Sequence, residues 1–253
     1  IIGPDSLHRY VTNPWMNFTT MWIIVMGGLG FVVWWDLTKK SIRLVKKEIR
    51  PYQFWHKLDL HTKIVLVSTA ILLFGGAALI FLLEYNNPDT IGTLDFGEKV
   101  LASLFQSVTT RTAGFESISQ SAFYDGTSVI HMILMMIGGS PMGTAGGIKT
   151  TTIAVLLLTS VSYFRGKKHT EVFDRRLPEE NIRTAVVVVT TAVLSLFVTV
   201  LLMSIAVSGG LMDIAYEVVS ALATVGLTRN LTASLGSIGK VIIIITMNLG
   251  RVG

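Results

Sequence analysis

Phe96-Gly97-Glu98-Lys99-Val100-Leu101-Ala102-Ser103-Leu104-Phe105-Gln106-Ser107-Val108-Thr109-Thr110-Arg111-Thr112-Ala113-Gly114 is the stretch that decides the fold. Phe96–Thr109 is an amphipathic segment, too short to cross a hydrocarbon core of about 30 Å, and it ends in a Thr-x-Gly tripeptide. The same plan returns later. Asp213–Ala223 is again short and amphipathic, and Thr224-Val225-Gly226 follows it. The two tripeptide glycines are 112 residues apart, and 24 residues beyond each lies another glycine, Gly138 and Gly250. This spacing predicts an internal repeat. Each unit has a basic entry, a full span, a short re-entrant helix, an extended tripeptide and a second span.

Working outward, long uncharged runs flank these segments. Ile64–Leu83 has 20 residues without a charge, Tyr10–Trp35 has 26 and Thr184–Met212 has 29. Gly126–Phe164 carries only His131 and Lys149. About 20 apolar residues at 1.5 Å each cross a bilayer core, so the sequence predicts an all-α, multi-pass membrane protein. Charged residues make up 15% of the chain, below the roughly 25% of soluble domains.

The charges are sorted by side. Lys39, Lys40, Arg43, Lys46, Lys47, Arg50, Lys57 and Lys63 separate the first two runs. Arg165, Lys167, Lys168, Arg175, Arg176 and Arg183 separate the third and fourth. Positive charge marks cytoplasmic loops, so the chain is expected to enter the cytoplasm at Trp35 and Phe164 and to emerge at Leu83 and near Ser208. The net charge of +5 is therefore topology and not a nucleic-acid footprint, and the basic loops lack interleaved aromatics for stacking bases. With no cysteine, disulfides and thiolate metal sites are excluded. No signal peptide opens the chain, and a start at Ile1 reads as a piece of a longer protein.

Four sections follow from this pattern. Residues 1–40 read as the last transmembrane helix of an earlier repeat, because Met26-Gly27-Gly28 parallels Ile137-Gly138-Gly139. Counting 24 residues back reaches Gly3, which lacks a Thr-x before it, so that repeat's tripeptide is expected upstream of Ile1. Residues 41–58 form a basic cytoplasmic linker, residues 59–170 a third helix–pore–helix unit and residues 171–253 a fourth, truncated one.

Bare backbone at membrane depth is tolerated only where it lines water or an ion path. A half-helix points its C-terminal end, with partial negative charge, into the membrane and favours a cation there. The following carbonyls, with the threonine hydroxyl, replace water around a dehydrated ion. Potassium filters are built this way, so the tripeptides Thr112-Ala113-Gly114 and Thr224-Val225-Gly226 are candidate linings of a cation path. Arg111 would repel a cation in the path, and is expected to turn behind it toward Glu116 or Asp125.

The third long run is interrupted. Gly138-Gly139-Ser140-Pro141-Met142-Gly143-Thr144-Ala145-Gly146-Gly147 holds five glycines and a proline, which cannot stay helical. Helical flanks are expected at Thr127–Ile137 and Thr150–Phe164, with the break on the cytoplasmic side of the tripeptides. A glycine-rich packing seam is the rival reading, and Pro141 argues against it. Lys149 closes the break, as a functional residue or a lysine reaching to the inner interface. Arg251, deep in the last apolar run, is placed to plug the path or to bond the loop's carbonyls. His131 sits on an apolar helix and is expected to pack.

At these residues the chain resembles the Trk/Ktr/HKT superfamily of cation transporters, and most of all bacterial Ktr membrane subunits of the B and D kind. Gln106–Phe115 resembles the third filter, Gly146-Gly147-Ile148-Lys149 the end of the intramembrane loop, Ala223–Thr228 the fourth filter, and Gly250-Arg251 the arginine of the last span. The resemblance implies potassium uptake across the bacterial plasma membrane through four helix–pore–helix repeats around one pore. It implies homodimers above a cytosolic ring of nucleotide-binding RCK subunits of the KtrA/KtrC kind, with nucleotide on the partner and no cofactor in this chain. It also makes Gly139, Ser140, Pro141, Gly143, Thr144, Gly146, Gly147 and Lys149, with Arg251, the gate. The first repeat and the filter of the second are not in this sequence.

Other classes fit less well. A cation-coupled secondary transporter, a Na⁺/K⁺ symporter, also uses broken helices, but the repeats here run parallel and no buried acid is expected inside a span. An intramembrane serine hydrolase built on Ser140 and His131 lacks a nucleophile elbow and an orienting acid. A purely structural subunit would tolerate bulk at the tripeptide glycines.

Overall fold

The computed structural model describes residues 6–167, 169–173 and 175–252. The readings at Gly3 and Lys168 lie outside them. Among the described residues the regular elements are helices apart from one short hairpin and one isolated bridge, as the hydropathy pattern predicts.

α1 spans Pro14–Gly28, with Asn13 as its N-cap accepting from Met16 N at 3.2 Å. The run Tyr10–Trp35 does not form one straight span. α1 stops at Gly28, and α2, Phe31–Val45, leaves it at 97°. The expectation of a single last transmembrane helix within residues 1–40 is corrected here to two helices that meet at a bend. Gly30 takes φ +80°, open to glycine but strained for other residues, and a side chain there would meet the Pro141 carbonyl at 2.5 Å. The bend is thus fixed by a contact with the glycine-rich segment, which lies 111 positions on from Gly30 at Pro141. α2 keeps Val33 and Asp36 buried, and the Asp36 carboxylate accepts from Asp59 N at 3.0 Å just past α3, Phe54–Lys57.

α4 covers Leu60–Glu84, 25 residues, or about 37 Å at 1.5 Å per residue. α5 covers Phe96–Thr109, the bounds the sequence predicts. Gly76 sits at the crossing. A Cβ there would stand 2.5 Å from Ser107 Oγ and 2.8 Å from Leu134 Cδ1, so its absence lets α4 meet both α5 and the helix that follows. Ser107 Oγ donates to the Leu73 carbonyl at 2.8 Å across that contact.

Glu84 corrects the expectation that no acid is buried in a span, for it is wholly buried at the last position of α4. Asn87 Nδ2 donates to it at 2.6 Å, Thr90 Oγ1 at 2.7 Å, Tyr124 N at 3.1 Å, and the Thr127 hydroxyl also donates. These four bonds tie the end of α4 to the turn after it and to the start of the helix that follows α5. Sequence position alone placed it at a span end, where exposure is the default.

α6, Asp125–Met136, and α7, Thr150–Phe164, flank the glycine-rich break. After α7 a short hairpin pairs β1, Glu171–Val172, with β2, Arg175–Arg176, antiparallel. α8 covers Glu179–Ala206, α9 Leu211–Leu222 and α10 Ser237–Val252. α8 buries only Ala185, Thr199 and Met203, leaving Val187, Leu194, Phe197, Leu201 and Ile205 exposed along one apolar face. Such a face is untenable in water and ordinary in lipid. α9 is the opposite: eight of its residues are buried, against α6, α8 and α10.

Candidate functional site

The two Thr-x-Gly tripeptides lie side by side at the ends of the two half-helices. Thr112 and Thr224 hold φ of 59° and 55°, and Gly114 and Gly226 hold φ of 70° and 93°. Left-handed backbone at a β-branched residue is a genuine outlier, and it recurs at the same step of both units. Alternating these angles turns successive carbonyls in a way regular helix or strand cannot. A methyl group on Gly114 would overlap the Val225 carbonyl oxygen and lie 3.4 Å from Gly226 Cα, so the two tripeptides approach as closely as glycine allows.

Each tripeptide is tied to its own half-helix. Thr109 Oγ1 donates to the Phe115 carbonyl at 2.6 Å. On the other side, Ser220 O accepts from Val225 N at 2.8 Å and Ser220 Oγ accepts from Gly226 N at 3.1 Å. These bonds satisfy backbone groups that helix ends otherwise leave open.

The glycine-rich segment, running from Ile137 to Lys149, sits against the second tripeptide. Ile137 bridges Ile148 in parallel, with Gly138 N on Ile148 O at 2.9 Å and Ile148 N on Met136 O at 3.1 Å. Gly138 must be glycine because a side chain would overlap the Gly146 carbonyl. Gly146 in turn abuts the side chain of Thr224, and a Cβ on Gly147 would stand 3.4 Å from Ala223 Cβ. On its other side the segment docks on the α1–α2 bend. Ser140 N donates to Gly28 O at 3.0 Å, Phe31 N to Met142 O at 3.2 Å, and the Ser140 hydroxyl to the Gly28 and Leu29 carbonyls. Gly139 lies 3.1 Å from Gly28 O and Gly143 lies 3.3 Å from Gly27 O, each measured from the Cβ it lacks.

The basic residues are accounted for separately. Arg251 reaches from α10 to the Thr144 carbonyl at 2.9 Å, and Lys149 Nζ donates to the Ala145 carbonyl at 2.7 Å. Arg111 is buried, but not as expected. Glu116 accepts from Gln120 N at 2.9 Å and faces His8 at 3.6 Å, while Asp125 lies 3.9 Å from Arg229. Both terminal nitrogens of Arg111 lack a hydrogen-bond partner among the described residues. Ser140 and His131 sit in different networks, which removes the dyad reading.

Several site residues had no signal in the spacing. Gly27, Gly28 and Gly30 form the seat of the loop, and the run Met26-Gly27-Gly28 held the only hint. Arg229 ties the second tripeptide's unit to the first, bonding Asp213 Oδ1 at 2.7 Å and the Ser128 hydroxyl. Glu217 accepts from Thr228 Oγ1 at 2.7 Å and from the Thr232 hydroxyl.

Long apolar helices, two buried half-helices and irregular backbone gathered between them define a helical membrane protein. The chain belongs to the TrkH family of cation transport proteins, whose family model matches residues 2–253. It is 38% identical over 252 residues to Ktr system potassium uptake protein B of Bacillus subtilis, covering 100% of this chain and 54% of that protein. It is also 38% identical to the potassium/sodium uptake protein NtpJ of Enterococcus hirae, covering 98% of this chain and 53% of that protein. The crystal structure of the potassium transporter TrkH from Vibrio parahaemolyticus superposes with a TM-score of 0.76 at 17% identity, covering 98% of this chain and 52% of that one, a likeness of fold. The chain spans about half the length of the relatives it matches.

Proposed function

We propose that this chain supplies two of the four filter strands and the gate of a channel-like potassium uptake pathway in the bacterial plasma membrane. In this reading a K⁺ ion sheds water between the carbonyls of Thr112 and Gly114 and those of Thr224 and Gly226, with Ala113 and Val225 completing the strands. The half-helix ends of α5 and α9 supply the negative field, and no proton is exchanged. The observation that carries the reading is the matched left-handed pair, threonine then glycine, in two tripeptides that touch.

The gate is assigned to Gly139–Lys149, including Ser140, Pro141, Gly143, Thr144, Gly146 and Gly147, with Arg251. Its support is the contact of Gly146 with Thr224 and the Arg251 bond to Thr144, which join the loop to both the tripeptide and the last helix. The resemblance adds a homodimer and a cytosolic ring of nucleotide-binding RCK subunits that moves this loop, and the name Ktr system borne by a relative is consistent with partner subunits.

The test is ⁸⁶Rb⁺ uptake into proteoliposomes holding the full-length protein and its Gly114→Ser variant. The reading expects uptake to fall at least about tenfold, since strain and overlap together exceed the roughly 1.4 kcal/mol that a factor of ten represents. Unchanged uptake would return the tripeptides to a structural role. Na⁺/K⁺ symport is the second reading, and the potassium/sodium uptake named for a relative favours it. It requires that Rb⁺ uptake rise with external Na⁺ and that Na⁺ enter in fixed ratio.

A further inference from the structure

A buried polar chain runs between the two tripeptides by a route behind them. It starts at Ser117, three residues beyond Gly114, whose hydroxyl accepts from Gln106 Nε2 of α5 at 3.2 Å. Gln106 Oε1 accepts from Gln120 Nε2 at 3.2 Å, and the same Nε2 donates to the Ile118 carbonyl at 2.9 Å. Gln120 Oε1 then accepts from the Tyr216 hydroxyl of α9 at 2.7 Å, with His131 Nδ1 of α6 at 3.1 Å from the same oxygen. Tyr216 OH also lies 3.3 Å from His131 Nδ1. One turn along α9 from Tyr216, Ser220 holds the backbone of Val225 and Gly226.

The chain has features of a strut. Gln106, Gln120, His131 and Tyr216 are all fully buried, and Ser117 is 3% exposed. The Gln120 amide has its donor group and its acceptor both engaged, so rotation of the amide breaks the set. Buried polar groups are costly when left unpaired, so the network holds one geometry. Its members come from α5, the post-tripeptide segment, α6 and α9, that is, from both repeats. Direct contact at Gly114 sets how near the two strands approach, but contact alone does not stop them from shifting.

We infer that Tyr216 and Gln120 are specificity-determining positioning residues, a hydrogen-bonded strut that fixes the spacing of the two strands against collapse onto a smaller cation. This rests on the filter reading above. Discrimination between cations of one charge depends on cavity size and on the field of the carbonyls, and both change when strands shift by a few tenths of an ångström. Tyr216→Phe removes one hydroxyl and keeps the ring, so the half-helix retains its packing while the strut opens.

The experiment measures ⁸⁶Rb⁺ uptake by the full-length protein in proteoliposomes, and its inhibition by Na⁺, for four variants. Tyr216→Phe is expected to make Na⁺ about threefold to tenfold more effective as a competitor, the range set by loss of one neutral hydrogen bond, with maximal uptake within about twofold. Ser117→Ala, at the other end, is expected to shift the ratio the same way and carries the test should Tyr216→Phe fail to reach the membrane. Thr90→Val, which removes a buried hydrogen bond from Glu84 and touches neither strand, is expected to leave the ratio alone. Gly114→Ser reports on the filter reading itself. If Gly114→Ser lowers uptake while Tyr216→Phe and Ser117→Ala keep the original ratio, the strut is overturned and the filter stands. If Thr90→Val shifts the ratio equally, general loosening explains the effect and the strut is again overturned. If Gly114→Ser changes nothing, the filter reading fails first.

Discussion

The two units of this chain use a glycine at the same step to opposite ends. In the first, the helix after the tripeptide stops at Met136, and Gly138 lets the chain fold back so that the Gly146 carbonyl fills the place of a side chain. In the second, α10 runs unbroken through Gly250, and the missing side chain admits the Leu222 carbonyl at the end of α9. What differs is the sequence that follows. Gly139, Pro141 and Gly143 forbid a continued helix in one, whereas Gly250 is followed by Arg251 and Val252, which continue the helix, in the other. A glycine marks a close approach, and its neighbours decide whether the chain bends there.

That contrast is open to breakage at several points. The largest effect is expected at Gly146, where Gly146→Val drives a side chain into Thr224. ⁸⁶Rb⁺ uptake should fall by about tenfold or more, with the protein still extracted intact, because backbone shifts of about 1–3 kcal/mol are concentrated on one tripeptide. Next come Gly250→Ala and Gly138→Ala, each overlapping a backbone oxygen. Gly250→Ala should lower the stability of the detergent-solubilised protein by about 1–3 kcal/mol, read as a fall in melting temperature, because α10 must leave α9. Gly138→Ala should cost less stability and more transport, because its neighbour is a loop that is able to move.

Smaller effects sharpen the same comparison. Arg251→Gln removes the charged donor from the Thr144 carbonyl and should raise basal uptake by about threefold, within the range of one hydrogen bond to a charged group weakened by exposure. The least is expected far from both repeats. Arg43 and Glu48 are about half exposed and form a surface pair at 3.1 Å, so Glu48→Ala should change stability by under about 0.5 kcal/mol and transport not at all.

Much of the fold was legible because bilayer solubility and helix length leave clear marks. Phe96–Thr109 and Thr150–Phe164 were delimited to the residue by charge and glycine alone. The 97° bend after Gly28 was not, because its cause is the docking of Pro141 and Ser140, a contact across more than a hundred residues. The burial of Glu84 was missed for the same reason: its donors come from a turn and from α6, and no local pattern announces them. Of the candidate site, the tripeptides and the loop could be named from spacing, while the Gln106–Gln120–Tyr216 chain could not. Polar residues at ordinary helical positions become a network only once two repeats pack together. Arg111 shows the limit most plainly, since charge matching pointed to Glu116 and Asp125, and both carboxylates face other groups.

The most direct measurement is anomalous scattering from crystals of the full-length protein soaked in Tl⁺, an ion of similar size to K⁺. The account predicts anomalous peaks between the Thr112–Gly114 and Thr224–Gly226 backbones, lost in Gly114→Ser. Ordered Tl⁺ elsewhere in the membrane region, with none between the two tripeptides, would contradict it.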